Sequence, residues 1–134
     1  MITEALLVAK EALEELNLDK ILSACAENAV FEDVPAGERI IGKSGLRSYF
    51  EQLFSLPGVA FSDIRIFVGG DFAALEWAWS GLKRDTGEPY RVRGASVIEL
   101  REGKIARESI YYDPKPVLPN QILPSSPPDA PASV

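Results

Sequence analysis

Proton transfer in proteins is most often entrusted to histidine, and this chain of 134 residues has none. That removes Ser-His and Cys-His nucleophile pairs, His-ligated zinc and an imidazole base. Cys25 is the single cysteine, so neither an intramolecular disulfide nor a redox pair can form. Chemistry is left to carboxylates, hydroxyls and arginines. Asp33, between Phe31 and the Val34-Pro35 turn, is one such carboxylate. It can cap the turn, or, desolvated beside the phenyl ring, it can act as a base. Gly37-Glu38-Arg39-Ile40-Ile41-Gly42-Lys43-Ser44 satisfies the phosphate-loop pattern G-x-x-x-x-G-K-S. That pattern takes its meaning from a parallel strand before it and a helix after it. Here a strand fragment at Ile40-Ile41 precedes a run of hairpins, so we read a loop with Ser44 as helix N-cap, where Lys43 attracts an anion at most weakly.

The elements that must position these groups are legible from period and punctuation. Ile2, Leu6, Ala9, Leu13 and Leu16 mark an amphipathic helix that Asn17 stops. Asp19 is the expected N-cap of a short helix, Lys20 to Cys25, with Cys25 on its buried side. A short strand, Ala29 to Glu32, runs into the loop 33–37. Ser44 opens a third helix striped by Leu46, Tyr49, Phe50, Leu53 and Phe54 and ended by Pro57-Gly58. The period then becomes two. Strands are expected over Val59–Val68, Phe72–Leu82, Tyr90–Leu100 and Lys104–Tyr112, separated by Gly69-Gly70-Asp71, Asp85-Thr86-Gly87 and Arg101-Glu102-Gly103. Helices followed by an antiparallel meander make an α+β domain over residues 1–113. Residues 114–134 carry seven prolines and read as an appended arm, anchored by Val117, Leu118, Ile122 and Leu123.

Charge bounds the partners. Lys and Arg number 14 against 20 Asp and Glu, a net charge of −6, which lacks the basic footprint a nucleic acid requires. Glu4, Lys10 and Glu11 interrupt the first apolar pattern, so neither a signal peptide nor a membrane span is expected, and a cytoplasmic location follows.

The element order resembles that of the SnoaL-like, or nuclear transport factor two-like, superfamily. Ala26-Glu27-Asn28-Ala29-Val30-Phe31-Glu32-Asp33 resembles the segment carrying the pocket aspartate of ketosteroid isomerases. Gly42-Lys43-Ser44-Gly45-Leu46 is similar to the family's start of its third helix, and Glu102-Gly103-Lys104-Ile105 with Tyr111-Tyr112-Asp113 to its last hairpin and strand. The resemblance covers about residues 5–113 and implies a cone-shaped curved antiparallel sheet wrapped by three N-terminal helices. It implies that Asp33 is the proton-moving carboxylate. The family's oxyanion-hole tyrosine and protonated aspartate fall at Ala9 and Ser96, so that hole is incomplete here. The catalytic Arg and Asp positions of limonene-epoxide hydrolases fall at Trp77, Trp79 and Ile110, which excludes that chemistry.

The same alignment turns Trp77, Trp79, Val92, Gly94, Ser96, Ile98, Glu108, Ile110 and Tyr112 toward the concave face. The expected site is a deep aromatic cavity. Asp33, Glu108, Ser96 and Tyr112 are its catalytic candidates, and Phe31, Trp77, Trp79, Tyr90 and Ile110 its substrate-binding candidates. No metal or cofactor is expected. Such a pocket suits acid–base isomerisation or intramolecular cyclisation of a hydrophobic carbonyl or polyene; the other reading is a non-catalytic domain that binds a hydrophobic ligand or serves as an accessory. Ala78, Ala95 and Val97 on the outer face, among Glu76, Arg91, Arg93 and Glu99, suggest a homodimer through the sheet.

Overall fold

A computed structural model describes residues 2–117, with side chains from Glu4 onward. Its elements in chain order are α1 (Ile2–Glu15), α2 (Leu18–Ser23), β1 (Cys25–Asp33), β2 (Glu38–Ile41), α3 (Lys43–Phe54), β3 (Ala60–Gly69), β4 (Phe72–Leu82), β5 (Pro89–Arg101) and β6 (Lys104–Tyr112). A 3-10 turn, Lys115–Val117, follows, and Val117 is buried against β5. The anchors expected at Leu118, Ile122 and Leu123 lie outside the described residues.

The six strands form one sheet in the order β2-β1-β6-β5-β4-β3. Four consecutive strands make the antiparallel meander that the period-two pattern predicts, with β4 and β6 at the expected bounds. The strand before α3 is longer than its apolar core suggests. It begins at Cys25 and runs parallel to β6, so the sheet is mixed at this junction. That pairing brings Asp33 level with Ile110 and Phe31 level with Glu108, and so joins the first third of the chain to its end.

Three local assignments differ from expectation. Asn17, not Asp19, caps α2: its side chain accepts from the Lys20 N–H at 3.0 Å, and Leu16 takes a φ of 55° to turn the corner. Cys25 is buried but stands on β1, where its thiol contacts the Ile21 carbonyl and is pushed up to about 12 by burial. Helix α3 has no side-chain cap. Gly42 occupies the N-cap with φ 89°, a conformation that favours glycine, and leaves Ser44 inside the first turn. The phosphate-loop look-alike therefore spans the antiparallel edge strand β2 and has none of the motif's setting.

The concave side of the sheet packs on α1 and α3. Leu6, Leu46, Leu75, Ile98, Ile105 and Val92 are all but sealed from solvent there. The convex side carries charge ladders and apolar residues in alternation. Arg107 bridges Glu32 and Glu99, Arg65 pairs with Glu76, and Arg91 with Asp63. Among these, Phe67, Phe72, Val97 and Tyr111 stay exposed.

Candidate functional site

Strand β1 ends at Asp33, and its alternation sends Phe31 and Asp33 to the concave side. The chain then turns sharply. The Asp33 carboxylate accepts the Ala36 N–H at 3.2 Å through Oδ1, the turn-capping role its place before Val34-Pro35 predicts. Two tyrosines complete its surroundings. Tyr112, the last residue of β6, donates to Oδ1 at 2.9 Å, and Tyr49 of α3 donates to Oδ2 at 3.1 Å. A carboxylate has about four lone-pair positions. Three are occupied, and the one left over is on Oδ2.

Asp33 is only 1% exposed. Burial raises its pKa, while the bonds from Tyr112, Ala36 and Tyr49 pull the other way. Burial and the neighbouring Asp33 charge in turn hold both tyrosines above the usual phenol range, so they remain proton donors.

A second carboxylate shares the cavity. Glu108 stands opposite Phe31 across the β1–β6 pair, and burial raises its pKa, opposed by the Ser96 hydroxyl. The indole N–H of Trp77 donates to Ser96 Oγ at 2.9 Å, which leaves the hydroxyl proton for Glu108. Gly94 makes this possible. A Cβ there would lie 2.4 Å from the Trp77 ring, so the indole occupies the space a side chain would need.

Phe31, Trp77, Trp79 and Ile110 wall the cavity, as expected, with Asp33, Ser96 and Glu108 as its polar groups. Tyr49, Phe50, Leu53 and Phe61 close it from the other side. Two candidates stand back from it. Tyr112 holds Asp33 from behind, and Tyr90 packs edge-on against Trp79, with ring centroids 5.6 Å apart. Sequence reasoning placed Tyr49 in the apolar stripe of α3 and missed its hydroxyl. The available signal was the need of a buried tyrosine for a polar partner.

The cavity is tighter than the deep pocket expected from the residues. Its volume is about 40 Å³. An apolar cavity of about 150 Å³ holds benzene, so a flat polycyclic ligand enters only if the aromatic walls part. Tyr49, tilted against Phe31, and Phe50, edge-on to it, occupy the space, with centroids 4.9 and 5.5 Å from that of Phe31. Among the described residues, no three His, Cys, Asp or Glu side chains gather as a metal site, and no helix is long and apolar enough to cross a membrane.

Comparison with known proteins agrees with this architecture. A hypothetical protein with a ketosteroid isomerase-like fold from Catenulispora acidiphila, crystallised with trimethylamine, superposes with a TM-score of 0.77 at 19% identity, over 92% of this chain and 98% of that one. A candidate polyketide cyclase from Pseudomonas putida gives 0.77 at 21% identity, over 92% and 98%. A candidate isomerase from Bacillus subtilis gives 0.71 at 28% identity, over 87% of this chain and 88% of that one. No curated protein matches the sequence. Residues 8–108 match the family model of the SnoaL-like domain, and with the helix-wrapped, curved mixed sheet described above, the chain belongs to that family.

Proposed function

We propose that the protein is a cofactor-free acid–base enzyme that moves a proton within a hydrophobic carbonyl or polyene substrate, as an isomerase or a cyclase. The observation that carries this reading is Asp33: a carboxylate 1% exposed in an aromatic wall, fixed by three donors, with one acceptor position on Oδ2 unused. Held in this way, the base needs no reorganisation to meet a carbon-bound proton. Glu108 is the complementary group, able to return a proton, with the Ser96 hydroxyl directed at it. The likeness to the Bacillus subtilis candidate isomerase and the Pseudomonas putida candidate cyclase supports the reaction class. The small cavity favours a substrate whose reacting end is compact.

A base beside a carbonyl exchanges the carbonyl's α-hydrogens with solvent whatever the natural substrate. The test is therefore α-deuteration of small cyclic ketones in heavy water, followed by proton NMR. Wild-type protein should accelerate exchange, and Asp33→Asn should reduce the acceleration roughly a hundredfold, the usual share of a general base. Equal rates for wild type and Asp33→Asn would leave Asp33 as a turn residue and the base reading without support.

One observation favours a second reading, a binding domain without chemistry. Three hydrogen bonds also make Asp33 a structural anchor, tying the β1 turn to α3 and β6. In that case ketones bind, no exchange occurs, and Asp33→Asn lowers stability.

A further inference from the structure

The far end of the aromatic wall holds two polar groups that the proposed mechanism does not use. The Trp79 indole N–H and the Tyr90 hydroxyl are buried, at 4% and 6% exposure, and neither has a hydrogen-bond partner among the described residues. Leaving a donor unpaired in the interior costs about 1–3 kcal/mol, and nearly all buried polar groups avoid it. Two such groups stand side by side. Trp79 and Tyr90 are diagonal neighbours on the concave face of β4 and β5, with rings edge to face at 84°. The Trp79 nitrogen lies close enough to pull the Tyr90 phenol down against its burial, yet the pair falls short of hydrogen-bond geometry. The Tyr90 hydroxyl lies over Gly81, in the space a side chain there would fill: a Cβ at that position would lie 2.5 Å from the Tyr90 oxygen. Burial pushes the Tyr90 phenol up to about 12, so it stays a donor.

We propose that Trp79 Nε1–H and Tyr90 Oη–H together bind an oxygen acceptor of the cavity's ligand, a carbonyl or enolate oxygen. This inference deepens the acid–base reading and rests on it for the chemistry. Trp79 lines the cavity, and its ring packs 5.8 Å from that of Tyr112, whose hydroxyl holds Asp33. Asp33 and Trp79 thus border one cavity, and Tyr90 stands directly behind Trp79. In the step they share, Asp33 takes a proton from carbon, and the electrons of that C–H bond form a carbon–carbon double bond. The carbonyl π pair moves onto oxygen, where the two donors stabilise it. Reversal with the proton delivered to another carbon completes an isomerisation. Two neutral donors here would supply what Ala9 and Ser96 do not: Ala9 has no donor, and the Ser96 hydroxyl faces Glu108.

Two tryptophans make the test direct. In protein labelled with ¹⁵N at the indole nitrogens there are two side-chain resonances, assigned by Trp79→Phe. Trp77 is already bonded to Ser96, and Trp79 has no hydrogen-bond partner among the described residues. The probes are acetone and isobutene, which share a shape, differ in the oxygen and are smaller than the benzene this cavity is too tight to hold. The ketone should move the Trp79 indole proton downfield and leave Trp77 in place. Tyr90→Phe should weaken the ketone about five- to tenfold, the share of one hydrogen bond, and leave the hydrocarbon unchanged. Asp33→Asn should retain the ketone response, which separates this site from the base. A ketone that binds without moving Trp79, or moves Trp77 instead, overturns the proposal while the base reading stands. Binding of neither probe overturns both.

Discussion

Replacing Tyr112 by phenylalanine removes one donor from Asp33 and keeps the ring that packs against Trp77 and Trp79 at 6.3 and 5.8 Å. A hydrogen bond to a charged group is worth about 1.5–3 kcal/mol, and about 1.36 kcal/mol is a tenfold change in proton affinity. The Asp33 carboxylate should therefore bind its proton about ten- to a hundredfold more tightly in Tyr112→Phe. Tyr112 is half-buried, so water partly replaces the lost hydroxyl, and the lower end of that range is expected. Tyr49→Phe acts on the other oxygen. Its bond is longer, 3.1 against 2.9 Å, but its site is buried and admits water less readily. The two single variants should shift Asp33 by similar amounts, and the double variant by more than either. The assay is the ¹³C resonance of the Asp33 carboxyl carbon followed across pH, assigned by its loss in Asp33→Asn. The acid limb of the ketone-deuteration profile should move to higher pH in step, because a base works only after losing its proton. An unmoved Asp33 midpoint in the double variant, or one moved downward, would refute the claim that the tyrosines hold this group charged.

Gly94→Ala should destabilise the fold by about 2–4 kcal/mol in urea unfolding, since it combines overpacking with a broken buried bond. The added methyl meets the Trp77 ring at 2.4 and 2.6 Å and must displace it from Ser96. A loss below about 0.5 kcal/mol, the range of a neutral surface change, would contradict this. Asp33 and Glu108 both have a pKa raised in the folded state by burial. Their contribution to stability is fully present below the unfolded values and is lost as pH rises through the folded ones. Acidification from neutrality should accordingly raise the melting temperature until other carboxylates protonate, and Asp33→Asn with Glu108→Gln should flatten that rise. The exposed Phe67, Phe72, Val97 and Tyr111 on the convex face are proposed to meet a second copy of the chain. Sedimentation should find a dimer at micromolar concentration that Val97→Arg dissociates; a wild-type monomer at high micromolar concentration would remove the proposal.

Period and turn residues are local signals, and the elements that depend on them were readable. The meander is one case: Phe72–Leu82 lies between glycine-containing turns and Lys104–Tyr112 opens after Glu102-Gly103, and period two still assigns their inward faces, although the burial of the second strand does not alternate strictly. What sequence could not show arises from pairing at long separation. The β1–β6 pair joins residues about 75 positions apart, and it alone brings Asp33 beside Tyr112. Nothing in the alternation of either strand specifies a parallel partner. The cap of α2 shifted from Asp19 to Asn17 because both residues suit the role and the left-handed Leu16 decides between them. Tyr49 was hidden by its surroundings: amid Leu46, Phe50 and Leu53 it reads as one more apolar side chain. Cavity size was also out of reach. It depends on how Tyr49, Phe50 and Phe31 interleave, a matter of rotamers and packing that composition does not carry.

Two carboxylates in one aromatic cavity raise the question of which is the base, and their hydrogen bonds answer it. Burial disfavours the charged form of Asp33 and of Glu108 alike. Against that common cost Asp33 sets three donors, two of them phenols that cannot readily ionise, whereas Glu108 has the Ser96 hydroxyl. Hydrogen bonds to the charged form favour it, so the first proton to leave is that of Asp33. On the acid–base reading proposed above, Asp33 would accept the substrate proton and Glu108 would be the group that still has one to give. Trp77 sets the orientation of the serine, since its N–H occupies the Ser96 oxygen and leaves the serine proton to Glu108. Environment alone would thus separate the acid and base roles that this reading gives two chemically similar side chains.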